Sequence, residues 1–204
     1  MILDRKIKPT AGSQINFSLP QIEEFTMENG MKVTFVHKAN LPIVQMYFSI
    51  NSGSIYDPKN KSGLAYLTSL LVDEGAGGLN TMDLDKEMEK LGSILNISTD
   101  HDSVFLSLTC IEEHFPRTLE LGSKILTDPH FNQADFEREK NRHTTKIVQS
   151  LDDPSFVAST CFSKTLFKNS QYSRTTLGTQ ETVENITNED VRNFYNKFFL
   201  IHHQ

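Results

Sequence analysis

The sequence has no tryptophan, only two cysteines in 204 residues, and no apolar run approaching the roughly 18 residues that a membrane-spanning helix needs. The cysteines, Cys110 and Cys161, have no Cys-x-x-Cys spacing. That excludes a zinc ribbon, a dithiol redox motif and a disulfide framework, and leaves two free, partly buried thiols as the expectation. Base is scarce relative to acid: 20 lysines and arginines face 26 aspartates and glutamates, a formal charge of −6. Such a balance repels phosphate backbones and excludes a nonspecific nucleic-acid binder. Met1-Ile2-Leu3-Asp4-Arg5-Lys6 lacks the apolar stretch of a secretory leader, which leaves the cytoplasm, or the periplasm after leader removal, open. No internal repeat is present.

What remains suits a folded domain. At 37% hydrophobic and 23% charged residues, the chain can build one sizeable core. Residues 1–20 include a Lys-, Pro-, Gly- and Ser-rich opening and read as an extended arm. Residues 21–204 read as a single α+β domain, with a mostly antiparallel sheet and helices packed on one face. Val44, Met46, Phe48 and Ile50 alternate with Ile43, Gln45, Tyr47 and Ser49, as a strand covered on one side does. Val104, Leu106 and Leu108 alternate in the same way and suit a strand paired with Gly92 to Thr99. Asn29-Gly30 predicts a two-residue type I′ hairpin turn. Helices are expected over Met82 to Leu91, from Phe115 past Leu119, Leu121, Ile125 and Leu126, and over Phe131 to Asp153. Thr187 and Asp190 have the spacing of a capping box ahead of the last helix, whose apolar face would be Phe194, Tyr195, Phe198 and Phe199.

The most informative segment runs from Ser62 to Gly75. Leu64, Leu67, Thr68 and Leu71 form a core stripe, while Tyr66, Ser69, Leu70 and Asp73, at i, i+3, i+4 and i+7, share the other face. Its frame, Gly63-Leu64-Ala65 before an apolar run ending at a glycine, resembles the H-x-x-E-H helix of the pitrilysin/insulinase (inverzincin) zinc peptidases. The likeness extends over about Phe25 to Phe199. It takes in Gly53-Ser54-Ile55-Tyr56-Asp57, the strand Gly92-Ser93-Ile94-Leu95-Asn96-Ile97-Ser98-Thr99, the landmark Asp152-Asp153-Pro154, and Asn185 to Val191.

The resemblance implies a zinc site that has been emptied. Its two histidine positions fall on Tyr66 and Leu70, and its catalytic glutamate on Ser69. The distal glutamate ligand falls at Thr145 or Lys146, in a stretch from Lys140 to Leu151 without a carboxylate. Zinc requires imidazole, thiolate or carboxylate donors, and a hydrolytic site also needs a base. No catalytic residue, metal ligand or cofactor is therefore expected, although active relatives carry zinc. Glu139 and His143, at i and i+4, could supply two donors but lack a third; the plainer reading is a solvated face on which Glu137, Arg138, Glu139, Lys140 and Arg142 pair. His37, His101, His114 and His130 stand alone, and His202-His203 sits at the end of the sequence.

For function the resemblance implies the N-terminal half-domain of a non-catalytic, processing-peptidase-like member. Such a half would pair with a catalytic half or subunit, help line a peptide chamber, and hold an extended peptide along Leu95, Asn96, Ile97, Ser98 and Thr99 by strand addition. The alternatives are a purely structural subunit, like the peptidase-related core proteins of respiratory complexes, and an active metallopeptidase with a diverged motif. Family members add a further strand and helix after the point where this sequence stops at Gln204, which implies a fragment of a longer chain and a possible homodimer through the uncovered edge.

Overall fold

A computed structural model of the chain describes residues 20–38 and 40–200, together with Gly12 and Ser18. The arm expected over residues 1–20 therefore lies, apart from Gly12, Ser18 and Pro20, outside the described residues, as does His202-His203. The chain forms two compact units that divide at Leu41 and Pro42.

The first unit is an antiparallel hairpin of β1 (Ile22–Thr26) and β2 (Lys32–Val36), with Ile22 opposite Val36 and Thr26 opposite Lys32. Its turn is not the two-residue type I′ that Asn29-Gly30 predicts. Only Gly30 has a positive φ, 82°. The Gly30 N–H donates to the Met27 carbonyl at 2.9 Å, and the Met27 N–H donates to the Met31 carbonyl at 2.8 Å. This is a three-residue loop, a type I turn completed by a left-handed glycine. Asn29 stays out of the left-handed region and its side chain accepts from the Met31 N–H.

The second unit is built on three antiparallel strands in the order β3 (Ile43–Ile50), β5 (Val104–Ile111), β4 (Ile94–Thr99). The predicted alternations hold. Val104, Leu106, Leu108 and Cys110 are buried, and Val44, Met46, Phe48 and Ile50 turn inward beside them, while Ile43, Gln45, Tyr47 and Ser49 are exposed. The helices of this unit are α1 (Leu64–Leu71), α2 (Thr81–Lys90), α3 (Phe115–Thr127), α4 (Gln133–Ser150), α5 (Pro154–Phe167), α6 (Gln180–Glu184) and α7 (Asn188–Phe198), of which α1 packs on β4 and α3 on β5. Leu64, Leu67, Leu71, Leu121, Ile125, Val191 and Phe194 meet the sheet in one core. On α3, Leu119 points outward, and Thr118, Leu121, Gly122 and Ile125 take the buried positions.

Two helix boundaries depart from expectation. The long helix begins at Gln133, because Phe131 sits at φ 47° and Asn132 is extended. It ends at Ser150, and α5 then starts at Pro154 with the Asp153 side chain accepting from the Ser155 N–H at 2.8 Å. No α5 residue is buried, which is why apolar periodicity leaves it unmarked.

The capping box before α7 is present: the Asp190 N–H donates to Thr187 Oγ1 at 3.2 Å, and the Thr187 N–H donates to Asp190 Oδ2 at 2.8 Å. Thr187→Ala is expected to cost about 1 kcal/mol in a urea titration, while Thr187→Ser, which keeps the acceptor, should lose little. Equal losses would show that the hydroxyl does not cap.

Candidate functional site

Helix α1 sits where α4, α7 and β4 converge. Its start is fixed by Asp57, only 4% exposed, whose carboxylate oxygens accept from the Gly63 N–H at 2.8 Å and the Ala65 N–H at 2.9 Å. These two donors are orphan amides of the helix terminus. Burial pushes the Asp57 carboxyl up to about 7, opposed by the amides of Ala65 and Gly63 and by the Arg174 charge. Arg174 itself donates to Ser62 Oγ at 2.9 Å and to the Asp57 carbonyl at 3.2 Å. The sequence reading missed this strap, because Arg174 follows no motif.

The four residues of the candidate face meet different fates. Tyr66 is half-buried, its ring 4.7 Å from that of His143, and its hydroxyl accepts from Lys146 Nζ at 2.7 Å. The same ammonium lies 5.0 Å from the centre of the Tyr66 ring. Ser69 is buried; its hydroxyl donates to the Tyr66 carbonyl and accepts from Thr99 Oγ1, both at 2.7 Å. That pair ties α1 to the end of β4. Leu70 is half-buried and offers no donor atom. Burial pushes the Asp73 carboxyl up to about 7, and the charges of Glu74, Asp85 and Glu139 add to it.

Thr145 and Lys146 differ in what they touch. Thr145 is exposed and returns its hydroxyl to the Asn141 carbonyl on its own helix, whereas Lys146 reaches across to Tyr66. Glu139 and His143 do not form a solvated face, since they are 2% and 1% exposed. Glu139 accepts from Arg142 at 2.8 Å and Arg138 at 3.2 Å. Lys140 bonds the carbonyls of Glu184 and Ile186 rather than a carboxylate. His143 must place its proton on Nε2, which donates to the Leu177 carbonyl at 2.8 Å, so Nδ1 is a buried acceptor without a partner. Burial lowers the His143 imidazole to about 4, with Lys146 contributing in the same direction and the Leu177 bond opposing.

A phenol, a buried serine hydroxyl, a leucine and an ammonium do not suit zinc, which takes imidazole, thiolate or carboxylate. Among the described residues no three His, Cys, Asp or Glu side chains come together as a metal would require. Cys110 is buried, Cys161 is exposed and both are free. His101 bonds the Arg174 carbonyl through Nε2, and His130 accepts from the Gly78 N–H.

Strand β4 is paired with β5 on one side and, among the described residues, with nothing on the other. Along it Leu95, Ile97 and Thr99 are half-buried, and Asn96 and Ser98 are exposed. A cavity of about 290 Å³ lies at its beginning, lined by Leu84, Met88 and Leu95 and by Asp73, Asp85 and Glu89.

Residues 32–186 match the family described as Insulinase (Peptidase family M16). The chain belongs to that family. It is 24% identical over 173 residues to a non-peptidase homolog of Helicobacter pylori, covering 84% of this chain and 40% of that one. It is 23% identical over 191 residues to the mitochondrial-processing peptidase subunit beta of Rattus norvegicus, covering 92% of this chain and 38% of the relative. The chain thus spans about two fifths of the length of these relatives. The inactive M16 peptidase domain of Pseudomonas fluorescens has the same fold, with a TM-score of 0.81 at 23% identity over 86% of this chain and 43% of that one. Pitrilysin gives 0.77 at 19% identity, over 89% of this chain and 20% of that one. Tyr66, Ser69 and Leu70 include no histidine and no carboxylate. No helix among the described residues is long and apolar enough to cross a membrane.

Proposed function

We propose that this chain is the non-catalytic half of a paired insulinase-family assembly. It lines the peptide chamber, pairs with a catalytic half, and holds an extended peptide along Leu95 to Thr99. Residues 21–204 would act together as that half. The observation that carries the reading is the free edge of β4 beside α1. An edge strand next to a site with no hydrolytic donors can bind and align an extended backbone but has no group to cut it. The relative named as a processing-peptidase subunit supports the reading, since that protein is one part of a larger enzyme.

The test is to mix the purified chain with an M16 partner from the same genome that retains H-x-x-E-H, and to follow cleavage of an unstructured peptide. Stimulated cleavage by the pair, with none by this chain alone, is the expected result. A stable complex with unchanged cleavage would favour a purely structural subunit, and zinc-dependent cleavage by this chain alone would overturn the proposal.

A further inference from the structure

We infer that Lys146 and Tyr66 form a recognition site for a peptide carboxylate, placed on the face where the family's metal would sit; this rests on the proposal that β4 holds an extended peptide. The first support is an imbalance of charge. The other basic residues of the middle of α4 are already engaged: Arg138 pairs with Glu74 and Asp135, Arg142 pairs with Glu139, and Lys140 bonds the carbonyls of Glu184 and Ile186. Lys146 forms no ion pair among the described residues. Its ammonium donates to the neutral Tyr66 hydroxyl at 2.7 Å. An ammonium has three N–H donors, so two remain for an incoming acceptor. The phenol, having accepted one of them on its oxygen, keeps its own proton to donate.

The second support is position. Thr99, the last residue of β4, donates to Ser69, and Ser69 donates to the carbonyl of Tyr66, both at 2.7 Å. The ammonium and the phenol are thereby held at the end of the free edge, where a peptide laid along β4 would pass or stop. The third is chemistry. A carboxylate presents two oxygens and a full charge to an N⁺–H and an O–H side by side, whereas a peptide carbonyl satisfies the hydrogen bond but not the charge. The adjacent His143 stays neutral near pH 7 and does not compete for the anion. The site thus inverts the electrostatic role of a metal centre: a fixed monovalent cation selects an anionic group.

A carboxylate can come from a free C-terminus or from an Asp or Glu side chain, and three randomised decapeptide pools separate the sources. One has a free terminal acid and no Asp or Glu, one is amidated with a single fixed Glu, and one is amidated without any acid. Equilibrium dialysis against the full chain, read by mass spectrometry, compares the wild type with Lys146→Met and Lys146→Arg. The wild type should retain at least one acidic pool about tenfold more strongly than the neutral pool. Lys146→Met should reduce that pool to the neutral level, and Lys146→Arg should keep much of the preference. Equal retention of all three pools, or a preference that survives Lys146→Met, overturns this inference while leaving peptide binding in place. No retention of any pool overturns both.

Discussion

Between pH 7 and pH 4 the wild-type chain should lose about 3 kcal/mol of stability relative to His143→Gln. His143 has an ordinary value of 6.5 and is lowered to about 4 in the fold. Between those values the unfolded chain binds a proton that the folded chain refuses. The contribution of the neutral ring is therefore complete above about pH 6.5 and disappears as the pH falls to about 4. Glutamine has an amide that can still donate to the Leu177 carbonyl, fills much of the same volume, and does not titrate. Urea unfolding of both proteins at pH 4, 5, 6 and 7 gives the difference directly. A gap that stays constant across this range would show that His143 takes up its proton without leaving its place.

The comparison is between two proteins because other buried acids act in the opposite direction. Burial raises Asp57 and Asp73 to about 7, so their contribution is complete in acid and disappears as the pH rises through that value. A titration of the wild type alone sums all three groups. Since both proteins share Asp57 and Asp73, the difference cancels them and leaves His143.

The same site shows why sequence pattern reads some of this fold and not the rest. Features set by neighbours in the chain were legible. Examples are the period-two alternation of β3 and β5, the buried stripe Leu64, Leu67, Thr68 and Leu71, and the Thr187–Asp190 capping box. Each follows from backbone geometry that repeats every two or four residues. What failed depended on distant partners or single dihedrals. Glu139 looks like one more charge on a polar helix, yet it is buried and paired with Arg138 and Arg142. The left-handed turn at Phe131 delays α4, and nothing about a phenylalanine announces it. The Lys146–Tyr66 bond joins residues 80 positions apart, so the Asp152-Asp153-Pro154 landmark leads to Thr145 or Lys146 but does not show what either would touch. Helix α5 went unread because it buries nothing.

Gly63→Ala should destabilise the protein by about 4 kcal/mol, several times the cost of Gly78→Ala. Both glycines are left-handed, with φ of 98° and 83°, so each alanine bears the backbone penalty of about 1–2 kcal/mol. They differ in what surrounds them. A Cβ at Gly78 would meet nothing within 4 Å, while one at Gly63 would lie 2.5 Å from the Leu177 carbonyl oxygen and 3.1 Å from both His143 Cε1 and Val183 Cγ2. That carbonyl is the acceptor for His143, and the Gly63 amide is a donor to Asp57. Displacing either one leaves a buried polar group short of a partner, which adds to the steric cost. The glycine that opens the Gly63-Leu64-Ala65 frame is therefore required by packing whether or not a metal follows it. This accounts physically for a Gly63-Leu64-Ala65 frame in a chain that has Tyr66 and Leu70, and no histidine, on the same helix. Equal losses for the two variants, measured by urea unfolding, would mean that the Leu177 segment can move away without cost and that the frame is held by something else.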